Sequence, residues 1–117
     1  MDKLDSIFKM QEQFDNELIE KRGLHGISQE QWIQKETLAL ISELAELLDE
    51  VNFKWWKNEK PVDMDAVKEE LVDILHFFVS MCIKTGMDAN ELFEIYIKKN
   101  RENFDRQHGL SSKEGYC

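Results

Sequence analysis

One proline and five glycines in 117 residues leave little to interrupt a helix. The hydrophobic residues, 42% of the chain, recur at helical rather than alternating spacing, which excludes a sheet protein and predicts an all-α fold. No apolar run approaches the ~20 residues that span a bilayer. Cysteine is scarce: Cys82 sits in an apolar run and Cys117 is the last residue, a pattern of neither a disulfide framework nor a zinc site. Positive charge is in short supply as well. With 15 basic against 24 acidic residues and a formal net charge of −9, nucleic acid and anionic membranes are excluded as general partners. Phosphates bridged by metal ions remain compatible. The opening Met1-Asp2-Lys3-Leu4-Asp5 lacks a signal peptide's apolar segment, so the expected location is cytoplasmic. A chain of this length forms one domain, residues 1–117, with a core that has little to spare and gains burial by self-association.

Four helices are legible. The first runs from about Asp2 to Lys21 on a stripe of Leu4, Ile7, Phe8, Phe14 and Leu18, and stops near Gly23. Ser28 with Gln31 forms a capping box for the second, whose Leu40, Ile41, Leu44, Leu47, Leu48 and Val51 predict burial between neighbours. Pro61 breaks the connector Phe53-Lys54-Trp55-Trp56-Lys57-Asn58-Glu59-Lys60. From about Met64 the third helix is nearly all apolar between Leu71 and Ile83, which predicts the central helix of the core; Gly86 ends it. Asp88 with Glu91 opens the fourth, about Ala89 to Gln107, and the tail from Gly109 follows.

Two acidic pairs carry the chemistry. Glu43 with Glu46, and Glu70 with Asp73, are each three residues apart, so each pair lies on one helix face with β-carbons roughly 5–6 Å apart. If the two helices pack together, four carboxylates converge. Like charges at 4 Å repel by about 4 kcal/mol at an effective dielectric near 20, a cost that a cation between them removes. All-oxygen ligation selects Mg²⁺ or Mn²⁺. Glu69 is an alternative outer acid, and Glu50 continues the face of Glu46. A single such pair is usually solvated surface; the second lies inside the most apolar helix, where a bare charge is hardest to tolerate.

Lys99, Asn103 and Arg106 share one face of the last helix and suit phosphate and sugar oxygens, although a basic last turn also complements the helix dipole. Trp55 and Trp56 are either core plugs or a surface that stacks on a base beside the neighbouring lysines. Asp73-Ile74-Leu75-His76 resembles half of a di-iron pair, but such sites need two, which leaves His76 a core or supporting residue.

Taken together, these segments resemble the all-α nucleoside triphosphate pyrophosphatases, the dimeric dUTPase-like branch more than the MazG-like one. The resemblance begins at Met10-Gln11-Glu12-Gln13-Phe14-Asp15 and continues through Glu43-Leu44-Ala45-Glu46, the Trp55-Trp56 connector and Glu70-Leu71-Val72-Asp73. It ends with Tyr96 to Gln107 and a closing tail, Ser112-Lys113-Glu114-Gly115-Tyr116. It implies an oligomeric four-to-five-helix bundle, a homodimer or else a tetramer, in which Glu43, Glu46, Glu70 and Asp73 hold two or three Mg²⁺ ions on the phosphates of a deoxynucleoside triphosphate. Glu46 would also position the attacking water. Lys57, Lys99, Asn103 and Arg106 would bind phosphate and sugar, and Gln11, Asp15 and Trp56 would shape the base pocket. The implied reaction is dUTP to dUMP and pyrophosphate, with a MazG-like or dCTP-directed pyrophosphatase as the alternative. Asp15 stands where several relatives carry Asn, so its hydrogen bonds to a base differ. From another class, a non-catalytic helical interaction module would account for the acids as a charged groove.

Overall fold

The computed structural model describes residues 1–110, and they form four helices: α1 (Lys3–Arg22), α2 (Gln29–Glu50), α3 (Met64–Lys84) and α4 (Ala89–Gln107). Among the described residues there is no strand. The proposed closing tail, Ser112 to Tyr116, and Cys117 lie outside them. The caps are local chemistry. Asp2 and Ser28 each close a capping box, with Asp5 and Gln31 respectively, and Asp88 accepts from the Glu91 amide. Gly23 ends α1 at φ 64°, a left-handed conformation that costs glycine nothing. Asp63 caps α3 by accepting from the Asp65 and Ala66 amides.

Contacts along α2 and α3 run in opposite order: Gln29 Nε2 donates to the Lys84 carbonyl, Glu36 meets Ser80 and Lys84, and Glu43 meets Glu70. The pair is therefore antiparallel, and α1 lies alongside α3 in the same direction, Gln11 against His76 and Asp15 against Ser80. α4 rests chiefly on α1. The core is small: Phe8, Val79, Cys82 and Ala89, flanked by Leu4, Ile7, Ile83, Met87 and Leu92. Burial raises the Cys82 thiol above its ordinary pKa, as suits a small core hydrophobe.

The apolar face of α2 is not buried in a single chain. Ile41, Leu44, Leu48 and Val51 are exposed, as are Leu71, Val72, Leu75 and Phe78 on α3. So only the C-terminal half of α3 occupies the core. The radius of gyration, 17.9 Å, exceeds the roughly 13 Å of a compact domain this long. α3 packs against both α1 and α2, while the apolar face of α2 and the N-terminal half of α3 stay open, a larger apolar surface than lone monomers keep. No helix among the described residues is long and apolar enough to cross a membrane.

The connector after α2 is an ordered turn. Asn52, at φ 58°, clamps it by donating to the Lys60 carbonyl at 2.8 Å and accepting from the Lys60 amide at 2.9 Å. Asparagine tolerates this left-handed backbone better than most residues. Lys54 reaches back to Asp49 at 3.4 Å.

Candidate metal and nucleotide site

Antiparallel packing of α2 on α3 brings the two acidic pairs together. Glu43, Glu46 and Glu70 each place a carboxylate oxygen within 4.8 Å of the others. Asp73, one turn along from Glu70, stands outside this trio yet acts on all three through its charge. Each of the three glutamates holds its proton above the ordinary carboxylate range. For Glu43 the largest cause is burial, followed by Glu70; for Glu46 it is the hydrogen bond its protonated form makes with Glu43; for Glu70 it is burial again, with the charges of Glu46 and Asp73 behind it. Glu43 Oε2 and Glu70 Oε2 are buried without a hydrogen-bond partner. Crowded carboxylates with orphaned oxygens are costly by themselves and become favourable around a hard divalent cation, so this donor set fits Mg²⁺ or Mn²⁺. The cluster is compatible with a metal site.

Beside it lies a cavity of about 850 Å³ bounded by α1, α2 and α3. Glu43 and Asp73 belong to its wall at one end, and Gln11, Asp15, Glu36, Ser80 and Lys84 at the other. The second group forms a hydrogen-bonded network. Gln11 Nε2 donates to Asp15 Oδ1 at 2.9 Å, and Gln11 Oε1 lies 2.7 Å from His76 Nδ1. Ser80 Oγ sits 2.7 Å from Asp15 Oδ2 and 2.9 Å from Glu36 Oε1. Lys84 Nζ donates to Glu36 Oε1 at 2.6 Å and to Ser80 Oγ at 2.9 Å, stands 3.9 Å from Asp15 Oδ2, and lies 3.9 Å from the centre of the Trp32 ring. A buried carboxylate pair is tolerable here because one ammonium serves both. Asp15 is thus committed to Gln11, Ser80 and Lys84, and it fixes the Gln11 amide.

The remaining candidates are not on this wall. Trp56 packs edge-on against Trp55, with ring centres 4.6 Å apart, and against Phe53 at 6.3 Å. Lys57 is exposed. On α4, Lys99 and Asn103 are exposed, and Arg106 is half-buried with Glu102 Oε1 3.7 Å from its Nε. One chain therefore gathers the acids, Gln11 and Asp15, while the connector and the basic face of α4 stand elsewhere.

Glu36, Ser80 and Lys84 are cavity residues that the sequence reading passed over. A signal existed: Asp73, His76, Ser80 and Lys84 recur at steps of three, four and four along the otherwise apolar α3, and Glu36 lies seven residues before Glu43. Those intervals trace one helix face.

Residues 3–92 match the protein family described as dUTPase. Among curated proteins, the chain is 49% identical over 47 residues to the dCTP pyrophosphatase of Enterobacteria phage T4, covering 40% of this chain and 28% of the relative. To the dCTP pyrophosphatase of Enterobacteria phage LZ5 it is 38% identical over 74 residues, covering 63% and 43%. A DNA replication protein of phage T4 is 46% identical over 41 residues, 35% of this chain and 10% of that one. These matches span less than half the length of the curated relatives. No solved structure matches the chain significantly.

Proposed function

Because the chain belongs to the dUTPase family, we propose that it is a Mg²⁺-dependent pyrophosphohydrolase that converts a pyrimidine deoxynucleoside triphosphate and water to the monophosphate and pyrophosphate. The observation that carries this reading is the meeting of Glu43, Glu46 and Glu70 at the end of a cavity of about 850 Å³, a volume within the range of small-molecule sites. Family membership favours dUTP. Two of the three phage relatives are dCTP pyrophosphatases and favour dCTP.

In this account Glu43, Glu46, Glu70 and Asp73 hold two or three ions, with Mn²⁺ able to replace Mg²⁺. When bound, the metal supplies Lewis acidity and positive charge for phosphoryl transfer. The chain's own groups do the rest. Glu46, the most exposed of the trio, orients the attacking water and takes its proton. Gln11, fixed by Asp15 and His76, faces the nucleoside. Lys99, Asn103 and Arg106 bind phosphate and sugar, and in a homodimer they reach the cavity from the second copy. Trp56 and Lys57, carried on the connector, add base and phosphate contacts. The second copy covers Ile41, Leu44, Leu71 and Phe78, the open apolar face. The enzyme works in the cytoplasm on the free nucleotide pool.

The test is pyrophosphate release from dUTP, dCTP, dTTP and dATP at fixed Mg²⁺. Rapid release from dUTP or dCTP, slow release from the others, and none after chelation are expected. A chain that releases pyrophosphate from none of the four is a helical interaction module instead.

A further inference from the structure

The end of the cavity remote from the acid cluster contains a carboxylate oxygen that no described residue satisfies. Glu36 is 7% exposed. Its Oε1 accepts from Lys84 at 2.6 Å and lies 2.9 Å from Ser80 Oγ, whereas its Oε2 is buried without a partner. An unpaired buried carboxylate oxygen is costly, and the wall that carries it belongs to the same cavity as Glu43 and Asp73. Seven residues of α2 separate Glu36 from Glu43, about 10 Å along the helix axis. A ligand with its phosphates at the acids therefore sets its far end beside Glu36. The terminal torsion of a glutamate is broad, so a small turn brings the free oxygen to the cavity face.

The donors that touch Glu36, which are Lys84 and Ser80, are already committed. Lys84 Nζ gives its hydrogens to Glu36 and Ser80 and faces the Trp32 ring. Ser80 Oγ lies between Asp15 and Glu36. This end of the cavity thus offers an acceptor, and an ionised carboxylate accepts only. We infer that Glu36 is the specificity-determining residue for the base and that it takes a pyrimidine bearing a 4-amino group, whose N–H donates to Glu36 Oε2. A 4-oxo pyrimidine turns carbonyl lone pairs toward the same oxygen and is the poorer ligand. Gln11 keeps one amide N–H after donating to Asp15, and that hydrogen suits the 2-oxo group common to both bases. The inference rests on the pyrophosphohydrolase reading and ranks dCTP above dUTP within it.

The experiment compares kcat/KM of the full chain with Mg²⁺ for dCTP, dUTP and the 2-pyrimidinone deoxynucleoside triphosphate, which carries hydrogen at the 4-position. A hydrogen bond to a charged group predicts that dCTP leads both by about 10- to 100-fold. Glu36→Gln, whose amide both donates and accepts, should bring dCTP and dUTP within a few-fold of each other. Equal rates for dCTP and the 4-hydrogen analogue, or an unchanged ratio in folded Glu36→Gln, overturn the inference while leaving the hydrolase reading intact. If Glu36→Gln does not fold, the analogue comparison with the unaltered chain decides. If no triphosphate releases pyrophosphate, the hydrolase reading fails, and binding of dCMP against dUMP then tests Glu36 alone: preference for dCMP supports it and equal affinity overturns it.

Discussion

Lys84→Met removes the one cation of the buried network, and its cost follows from how that cation is held. The Lys84 side chain is 12% exposed and those of Glu36 and Asp15 are 9% each, so solvent screens the group little. Its loss leaves two buried carboxylates without a countercharge, a change that costs about 3–5 kcal/mol. The contact with the face of Trp32 goes too, a further ~0.5–2 kcal/mol. A domain's whole stability is about 5–15 kcal/mol, so the variant should be marginal: the two losses together, about 3.5–7 kcal/mol, lower the midpoint by roughly 14–28 °C at about 4 °C per kcal/mol. Urea unfolding followed by helical circular dichroism in metal-free buffer measures this. Adding Glu36→Gln to Lys84→Met should restore part of the loss, because one of the bare charges is then neutral. A cost below ~1 kcal/mol, typical of exposed pairs, would refute the view that this network is a buried, charge-balanced unit.

Other outcomes follow from the acid cluster and the open face. Glu46→Gln should leave the metal-free protein at least as stable as the parent, since it relieves repulsion, yet abolish pyrophosphate release; a marked loss of helicity would mark Glu46 as structural. Glu43, Glu46 and Glu70 hold their protons above the ordinary 4.5 when folded, so the folded state binds more protons than the unfolded between 4.5 and those raised values. Their contribution to metal-free stability therefore falls as pH rises through that window, and it is lowest above it. Unfolding titrations of the parent against Glu43→Gln/Glu70→Gln isolate the effect, and identical pH profiles would contradict it. Ile41→Glu, on the exposed face of α2, should shift sedimentation toward the monomer and reduce turnover together; a parent that sediments as a monomer removes the proposed second copy.

The local architecture was readable because it depends on near neighbours. Ser28 with Gln31, Asp88 with Glu91, and Gly23 each mark a helix end by interactions within four residues. The acidic pairs were readable for the same reason, each being a helical interval, although their meeting required α2 and α3 to pack antiparallel. Periodicity identified Ile41, Leu44 and Leu48 as an apolar face, but it does not say which chain covers that face. The network of Asp15, Glu36, Ser80 and Lys84 was hidden differently. Ser80 and Lys84 look like breaks in an apolar helix until Glu36 and Asp15, 44 and 65 residues before Ser80, come beside them. The basic face of α4 is likewise visible as a face, while its distance from the cavity depends on how α4 settles on α1.

The most direct test is a calorimetric titration of Mg²⁺, repeated with Mn²⁺, into the metal-free chain and into Glu43→Gln/Glu70→Gln. Saturable binding by the parent and none by the double variant are expected, with both proteins folded. No saturable binding by the parent, or equal binding by the two, would contradict the metal-site reading.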